Sequence, residues 1–250
     1  MLELLAVIAV VAVMVALLST ALNQAKARAH QIGCLSNLRQ LHQAWTLYAD
    51  DNEDSLPLNR AEPLANPRVF GWKNTSDSWV GGNPKVDTTT RNIEAGTLFR
   101  YVESASIYRC PADTANVMVN KNARRTRSYS MSAYLNGNEA GVDPRVKVKL
   151  AQVQIQPAAK VFVFIEEEAT SPWLGSFAVM PSDQTPLASA SIASVPGAWH
   201  NGGSDLSFAD GHVEYWRWFA AKKVGKAGRT TIARQEVKDL RRLQEAIPKP

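Results

Sequence analysis

LLAVIAVVAVMVALLSTALNQA, Leu4 to Ala25, is a run of 22 residues with no Asp, Glu, Lys or Arg, and it decides how the rest of the chain is read. About 20 uncharged apolar residues are what an α-helix needs to cross ~30 Å of hydrocarbon. Leu4, Leu5, Val7, Ile8, Val10, Val11, Val13, Met14, Val15, Leu17 and Leu18 fall on all sides of such a helix, so it must be sheltered by lipid or by helices of its own kind. A cleaved signal peptide fits poorly: its apolar core is usually ~7–15 residues after a basic stretch, and here nothing basic precedes a longer run.

Working outward, no proline occurs before Pro57, so the helix need not stop at Ala25. Ile32, Leu35, Leu38, Leu41, Trp45 and Tyr48 recur every three or four residues, while Lys26, Arg28, Gln31, Arg39, Gln40 and Gln43 cover other faces. The spacing predicts a single helix from about Leu2 to Ala49, ~70 Å long at 1.5 Å per residue. Its first half is apolar all round (1–25) and its second half amphipathic (26–52), with a stripe that packs on the domain that follows. Gly33 marks a bend or a close contact. In front of the run stands Glu3, which is unfavourable in lipid unless paired and so a functional suspect, or simply meets the helix dipole and interfacial water.

Residues 53–220 read as a β-rich head with long Pro/Gly/Asn/Ser loops, and 221–250 as a basic tail. The tail holds nine basic residues against three acidic, so it carries +6 of a chain total of +5, and the remainder is close to neutral. No stacking aromatics alternate with these cations, which argues against a nucleic-acid partner. Ile232, Val237, Leu240, Leu243 and Ile247 predict a short amphipathic helix there. In the head, Gly96–Val102 suggests a short helix, and Ile107–Pro111, Ser128–Leu135 and Val161–Ile165 suggest strands. The last is apolar throughout, as a central strand buried on both faces would be. Glu166, Glu167 and Glu168 then form a solvated strand end. Asp210-Gly211 predicts a type I′ hairpin, with Leu206 and Phe208 facing Tyr215 and Val213.

Asp50, Asn52 and Asp54 alternate like the oxygen ligands of a calcium loop, but Ser55 stands where glycine is needed and Ala61 where glutamate is. A solvated helix end is the plainer reading, so no cofactor is expected beyond a calcium ion on those three residues. Cys34 and Cys110 have no CxxC or Cys/His partner at metal spacing; they form either one disulfide or two inert thiols.

The start of the chain, Met-Leu-Glu-Leu-Leu-Ala-Val-Ile-Ala-Val-Val-Ala (Met1–Ala12), resembles mature type IV pilins and type II secretion pseudopilins. His200, nine residues, then Asp210-Gly211 is similar to the His-X9-Asp-Gly pattern of a group of prepilin-like proteins. Cys34-Leu-Ser-Asn-Leu-Arg-Gln, Tyr108-Arg-Cys-Pro-Ala-Asp113, Ser128-Tyr-Ser-Met131 and Asp239-Leu-Arg-Arg-Leu-Gln-Glu245 agree with it in order, over nearly the whole chain. The resemblance implies an α+β, pilin-like fold: a long N-terminal helix on a C-terminal antiparallel sheet domain with long loops. It implies a structural, non-enzymatic subunit of a pilus-like filament or secretion pseudopilus. The subunit would be held in the inner membrane, then polymerised with identical subunits by pilus or type II secretion machinery. Its location would be an extracellular filament or a periplasmic pseudopilus. Glu3 would neutralise a neighbouring subunit's N-terminal amine, and Cys34 and Cys110 would pair.

The family's basic leader, cut after glycine, and two further residues precede its glutamate, so this sequence reads as starting after processing or at a misplaced start. Thr20 stands where the family often has a helix-bending proline. Lys26, Arg28 and Arg39 lie C-terminal to the run, and by the positive-inside rule a removed basic leader is required to place the head on the export side.

Two other functions compete. A membrane-anchored protein that does not polymerise would bind polysaccharide through Trp72, Trp79, Trp173, Trp216 and Trp218. An anchored hydrolase would use Glu166–Glu168, His200 and Asp210, but no GxSxG or HExxH motif accompanies them. His200 either hydrogen-bonds across the hairpin or, with Asp210 and His212, binds a metal.

Overall fold

The computed structural model describes residues 2–66, 71–171, 175–183, 194–220 and 234–250, apart from the side chains at 2, 3, 5–7, 9, 10, 20, 23, 234 and 235. Helix α1 runs unbroken from Leu2 to Asp51, 50 residues, or ~75 Å at 1.5 Å per residue. Every described side chain before Gln31 is exposed, including Leu4, Ile8, Val11, Val13, Met14, Val15, Leu18 and Leu22. Among the described residues no helix is long and apolar enough to cross a membrane.

From Cys34 onward α1 enters the head, where Cys34, Leu38, Leu41, Ala44, Trp45 and Ala49 are buried. The predicted stripe is displaced at its start: Ile32 is exposed, because it lies on the helix face opposite Cys34, Leu38, Leu41 and Trp45, which the head covers. Helix geometry continues through Gly33, where a side chain would meet the Pro111 ring at 3.4 Å, so this glycine marks a close contact.

The head contains β1 (Ala61–Pro63) paired with β2 (Trp72–Asn74), short helices α2 (Arg91–Glu94) and α3 (Phe99–Val102), and β3 (Asn116–Val117) paired with β4 (Asn120–Arg124). Its main sheet has five strands: β5 (Tyr129–Ser132), β6 (Phe162–Glu166), β7 (Ser176–Phe177), β8 (Gly203–Phe208) and β9 (Val213–Arg217). Their order is β7-β5-β6-β8-β9. All neighbours are antiparallel except β5 and β7, which run parallel. Helix α4 (Leu150–Gln154) lies between β5 and β6, and α5 (Arg234–Glu245) closes the chain. The fold is therefore α+β.

Ile107–Pro111 is not a strand: Ala105–Tyr108 forms a 3-10 turn, and Pro111 has no N–H with which to continue a ladder. Strand β6 is the buried central strand its sequence implies. A register shift between Phe162 and Phe164 puts Val163 and Phe164 together in the core shared with α1. Phe162 and Ile165 join the opposite core with Phe177, Leu206, Trp216 and, from the tail, Leu240, Leu243 and Ile247. The sheet is thus covered on one face by the second half of α1 and on the other by α5. Asp239, buried, accepts the N–H groups of Phe219 (2.9 Å) and Ala220 (3.1 Å) and fixes α5 to the end of β9. Ile232 lies outside the described residues.

The β8–β9 hairpin differs from the expected one. Phe208 N–H donates to His212 O and Gly211 N–H to Phe208 O, each at 2.9 Å, closing a three-residue loop. Only Gly211 has positive φ, at 92°; Asp210 does not. One left-handed residue after an ordinary turn closes such a loop, whereas a type I′ turn needs two. The register moves accordingly: Leu206 faces Glu214, Ser207 faces Val213 and Asp205 faces Tyr215. Because side chains alternate along a strand and Leu206 faces the core opposite α1, Asp205 points to the α1 side.

Candidate functional site

Two places carry the residues singled out from sequence: the exposed half of α1 and a buried polar cluster where α1 meets the sheet. Glu3 lies in the first turn of α1, and its side chain is outside the described residues.

The cluster is built from the ends of strands. Glu166 closes β6, and Asp205 sits in β8 directly beside it. His200 precedes β8 in a turn closed by Gly203 N–H to His200 O, 3.2 Å, with Asn201 and Gly202 at positive φ. Gly203 must be glycine: a side chain there would strike Trp216 O at 2.3 Å. Tyr215 donates its hydroxyl to His200 O at 2.6 Å. These constraints aim His200 Nε2 at Glu166 Oε1 (3.0 Å), Cys110 Sγ (3.2 Å) and Asp205 Oδ2 (3.5 Å). Glu166 Oε2 accepts the Asp205 N–H at 3.0 Å.

Cys34 and Cys110 are joined in a disulfide, with Cα atoms 5.1 Å apart. The bridge abuts His200 and ties α1 to the head. Burial raises the Glu166 carboxyl, and the hydrogen bond and charge of His200 offset part of that rise. Burial, reinforced by the Glu166 charge, pushes Asp205 up to about 7. For His200 burial acts downward, but the hydrogen bond and charge of Glu166 and the charge of Asp205 outweigh it and raise its pKa. Two carboxylates and one imidazole therefore perturb one another's protonation in a buried cluster.

The expectation of a solvated Glu166–Glu168 end is overturned, since Glu166 and Glu167 are fully buried. Glu167 accepts the hydroxyls of Ser130 and Ser171. Arg125, also buried, donates to Asp113 and to Glu167 O. Asp113 accepts from Ser128 Oγ as well, at 2.5 Å. The segments Tyr108–Asp113 and Ser128–Met131, distant in sequence, thus meet through charge-assisted hydrogen bonds.

The His-X9-Asp-Gly spacing becomes a length. His200 and Asp210-Gly211 stand at opposite ends of β8, and both ends touch α1. His200 does so at the Cys34–Cys110 bridge; at Gly211 an added side chain would meet His42 Nε2 at 3.5 Å. His200 does not meet Asp210 or His212. Those two pair with each other, Nδ1 to Oδ1 at 2.5 Å, and His212 stacks on Phe208. Burial acts to raise the Asp210 carboxyl, but the hydrogen bonds from His212 outweigh it and hold it below the usual range.

Asp50, Asn52 and Asp54 do not converge. Asp50 is exposed, Asn52 donates back to Tyr48 O at 2.7 Å, and Asp54 accepts the Ala151 N–H at 3.1 Å. They finish α1. Of the tryptophans, Trp79, Trp216 and Trp218 are buried and Trp72 is half-buried; Trp173 lies outside the described residues. Trp79 and Trp218 donate their indole N–H groups to Gly175 O and Gly197 O, so they anchor loops.

Asp205 went unrecognised in the sequence, and Glu166 was set beside His200 only in the hydrolase alternative, not as its buried hydrogen-bond partner. The available signal was a glutamate continuing an apolar central strand without an intervening turn residue.

No family model, no curated protein and no solved structure matches the chain.

Proposed function

We propose that the chain is a structural subunit of a type IV pilus-like filament or type II secretion pseudopilus, polymerising through the first half of α1. One observation carries the proposal: an unbroken helix whose described side chains are all exposed before Gln31, uncharged and mostly apolar as far as Ala25, and which is embedded in the head from Cys34. Contiguous apolar surface of that extent needs a cover. Lipid covers it before assembly and the same helix of neighbouring subunits covers it afterwards, with the heads left outside. The second half of α1 is held at both ends of β8, so the head transmits load to a rod that is not free to pivot.

Glu3, in the first turn, is assigned the charge-pairing role in assembly. Glu3→Leu is expected to abolish filaments in electron micrographs of surface-sheared material, while circular dichroism of the purified chain remains that of the parent. Normal filaments from Glu3→Leu would remove the role of Glu3. Absence of any polymer from the parent chain in its native cell would remove the proposal itself.

A further inference from the structure

Four metal-ligating side chains converge on one buried point. Cys34 Sγ, Cys110 Sγ, a Glu166 carboxylate oxygen and His200 Nε2 lie within 4.8 Å of one another, and all four residues are buried. They arrive from α1, the loop before β3, the end of β6 and the loop before β8, so tertiary structure alone assembles them. Asp205 borders the group, with one oxygen 3.5 Å from His200 Nε2. Its carboxyl is fully buried, faced by the His200 imidazole and the Gln31 side chain, and neither oxygen makes a close hydrogen bond. A buried carboxyl in that condition is costly and marks a place where a cation would be favourable.

In the folded chain the two sulfurs are bonded to each other and are poor ligands. As separate thiolates they are strong ones, and two thiolates, an imidazole and a carboxylate make the four-donor set that tetrahedral Zn2+ takes. Bonds of about 2.3 Å to sulfur and about 2.0–2.2 Å to nitrogen and oxygen place donors roughly 3.3–3.8 Å apart in a tetrahedron. That fits inside the observed spread after a small rotation of the cysteine side chains. Thiolate donors select zinc over calcium or magnesium.

We propose that Cys34, Cys110, His200 and Glu166 form a redox-gated zinc site, which holds one Zn2+ in the dithiol state and loses it when the disulfide forms. On uptake, two thiol protons leave and two Zn–S bonds form. On oxidation both Zn–S bonds break and one S–S bond forms. The two electrons pass to an external disulfide, which takes two protons and becomes two thiols, and Zn2+ departs. Metal and bridge crosslink α1 to the same part of the head, so the helix stays fixed before oxidation as well as after it. The site is independent of whether the chain polymerises.

The test uses the full chain in detergent. It is unfolded in denaturant with a phosphine reductant, which gives two electrons to the bridge and takes the oxygen of one water, the two protons of that water going to the thiols. It is then refolded without oxygen in the presence of Co2+, the spectroscopic probe for zinc, and separated from free ion by gel filtration. The expected result is one Co2+ per chain, with tetrahedral d–d bands and a thiolate-to-cobalt charge-transfer band. Retention should weaken tenfold or more in His200→Ala, Cys34→Ser and Glu166→Gln. Oxidised glutathione should release the metal and restore the bridge. Three outcomes overturn the proposal: cobalt retained equally by His200→Ala, a spectrum without the thiolate band, or a folded dithiol chain that takes no metal. A dithiol chain that stays unfolded with cobalt also overturns it, because the metal is assigned the crosslinking role of the bridge.

Discussion

His200 and Glu166, 34 residues apart and both buried, meet at 3.0 Å, and Glu166 is also the acceptor for the Asp205 backbone. One carboxylate therefore joins two strands and a loop beneath α1. Removing either partner leaves the other as a buried charge without compensation.

Glu166→Ala is expected to destabilise the head by about 3–5 kcal/mol, the usual cost of breaking a buried pair from one side. Glu166→Gln keeps the shape and an acceptor for Asp205 and should cost less. Chemical denaturation of the oxidised proteins, followed by near-UV circular dichroism, measures both. Equal losses would mean that shape alone matters at this position.

Cys34→Ser/Cys110→Ser removes a crosslink between residues separated by 76 positions. Loop-closure entropy for a loop of that size gives a loss of roughly 4 kcal/mol. The loss should be read from denaturant midpoints of the variant and the oxidised parent. A difference below about 1 kcal/mol would place the constraint on α1 elsewhere.

His42 faces the hairpin turn. Burial pushes its pKa down to about 4, with the Asp210 charge opposing and the His212 charge adding to the shift. The folded chain keeps this imidazole neutral between about 4 and 6.5, where the unfolded chain protonates it. Its contribution to stability is thus full above 6.5 and is lost as pH falls to about 4, by up to about 3 kcal/mol. His42→Gln should flatten that part of the curve. The measurement is the stability difference between parent and variant at pH 7 and pH 4.5; a constant difference would contradict the assignment.

Val13→Lys and Leu18→Lys place charges on the exposed half of α1 and touch nothing in the head. Head stability should change by no more than about 0.5 kcal/mol, while filament formation is lost. Sedimentation of sheared material together with a thermal melt reads both. A variant that still assembles would show that the helix surface at these positions is not buried between subunits.

Gly211→Ala forces a side chain into a backbone with φ of 92°. The expected cost is about 1–3 kcal/mol. Proton exchange of the Gly203 and Trp218 amides, at the far end of β8, should stay slow if the strain is confined to the loop.

The amino-acid sequence by itself determined α1, the buried strand β6, the presence of a hairpin at Asp210-Gly211 and the amphipathic helix α5. Each rests on a period or a turn signal that is complete within a few residues. Tertiary structure decided the rest. Ile32 was placed on the packing stripe by its spacing, but successive three-residue steps drift around a helix, and only the docked head decides which face of α1 is covered. The Leu206 register depended on whether the loop has two residues or three. Glu166 resembled a solvated strand end because its partners, His200 and the Asp205 amide, lie 34 and 39 positions away. Burial and pairing are properties of which distant segments touch, and no local pattern of residues carries that information.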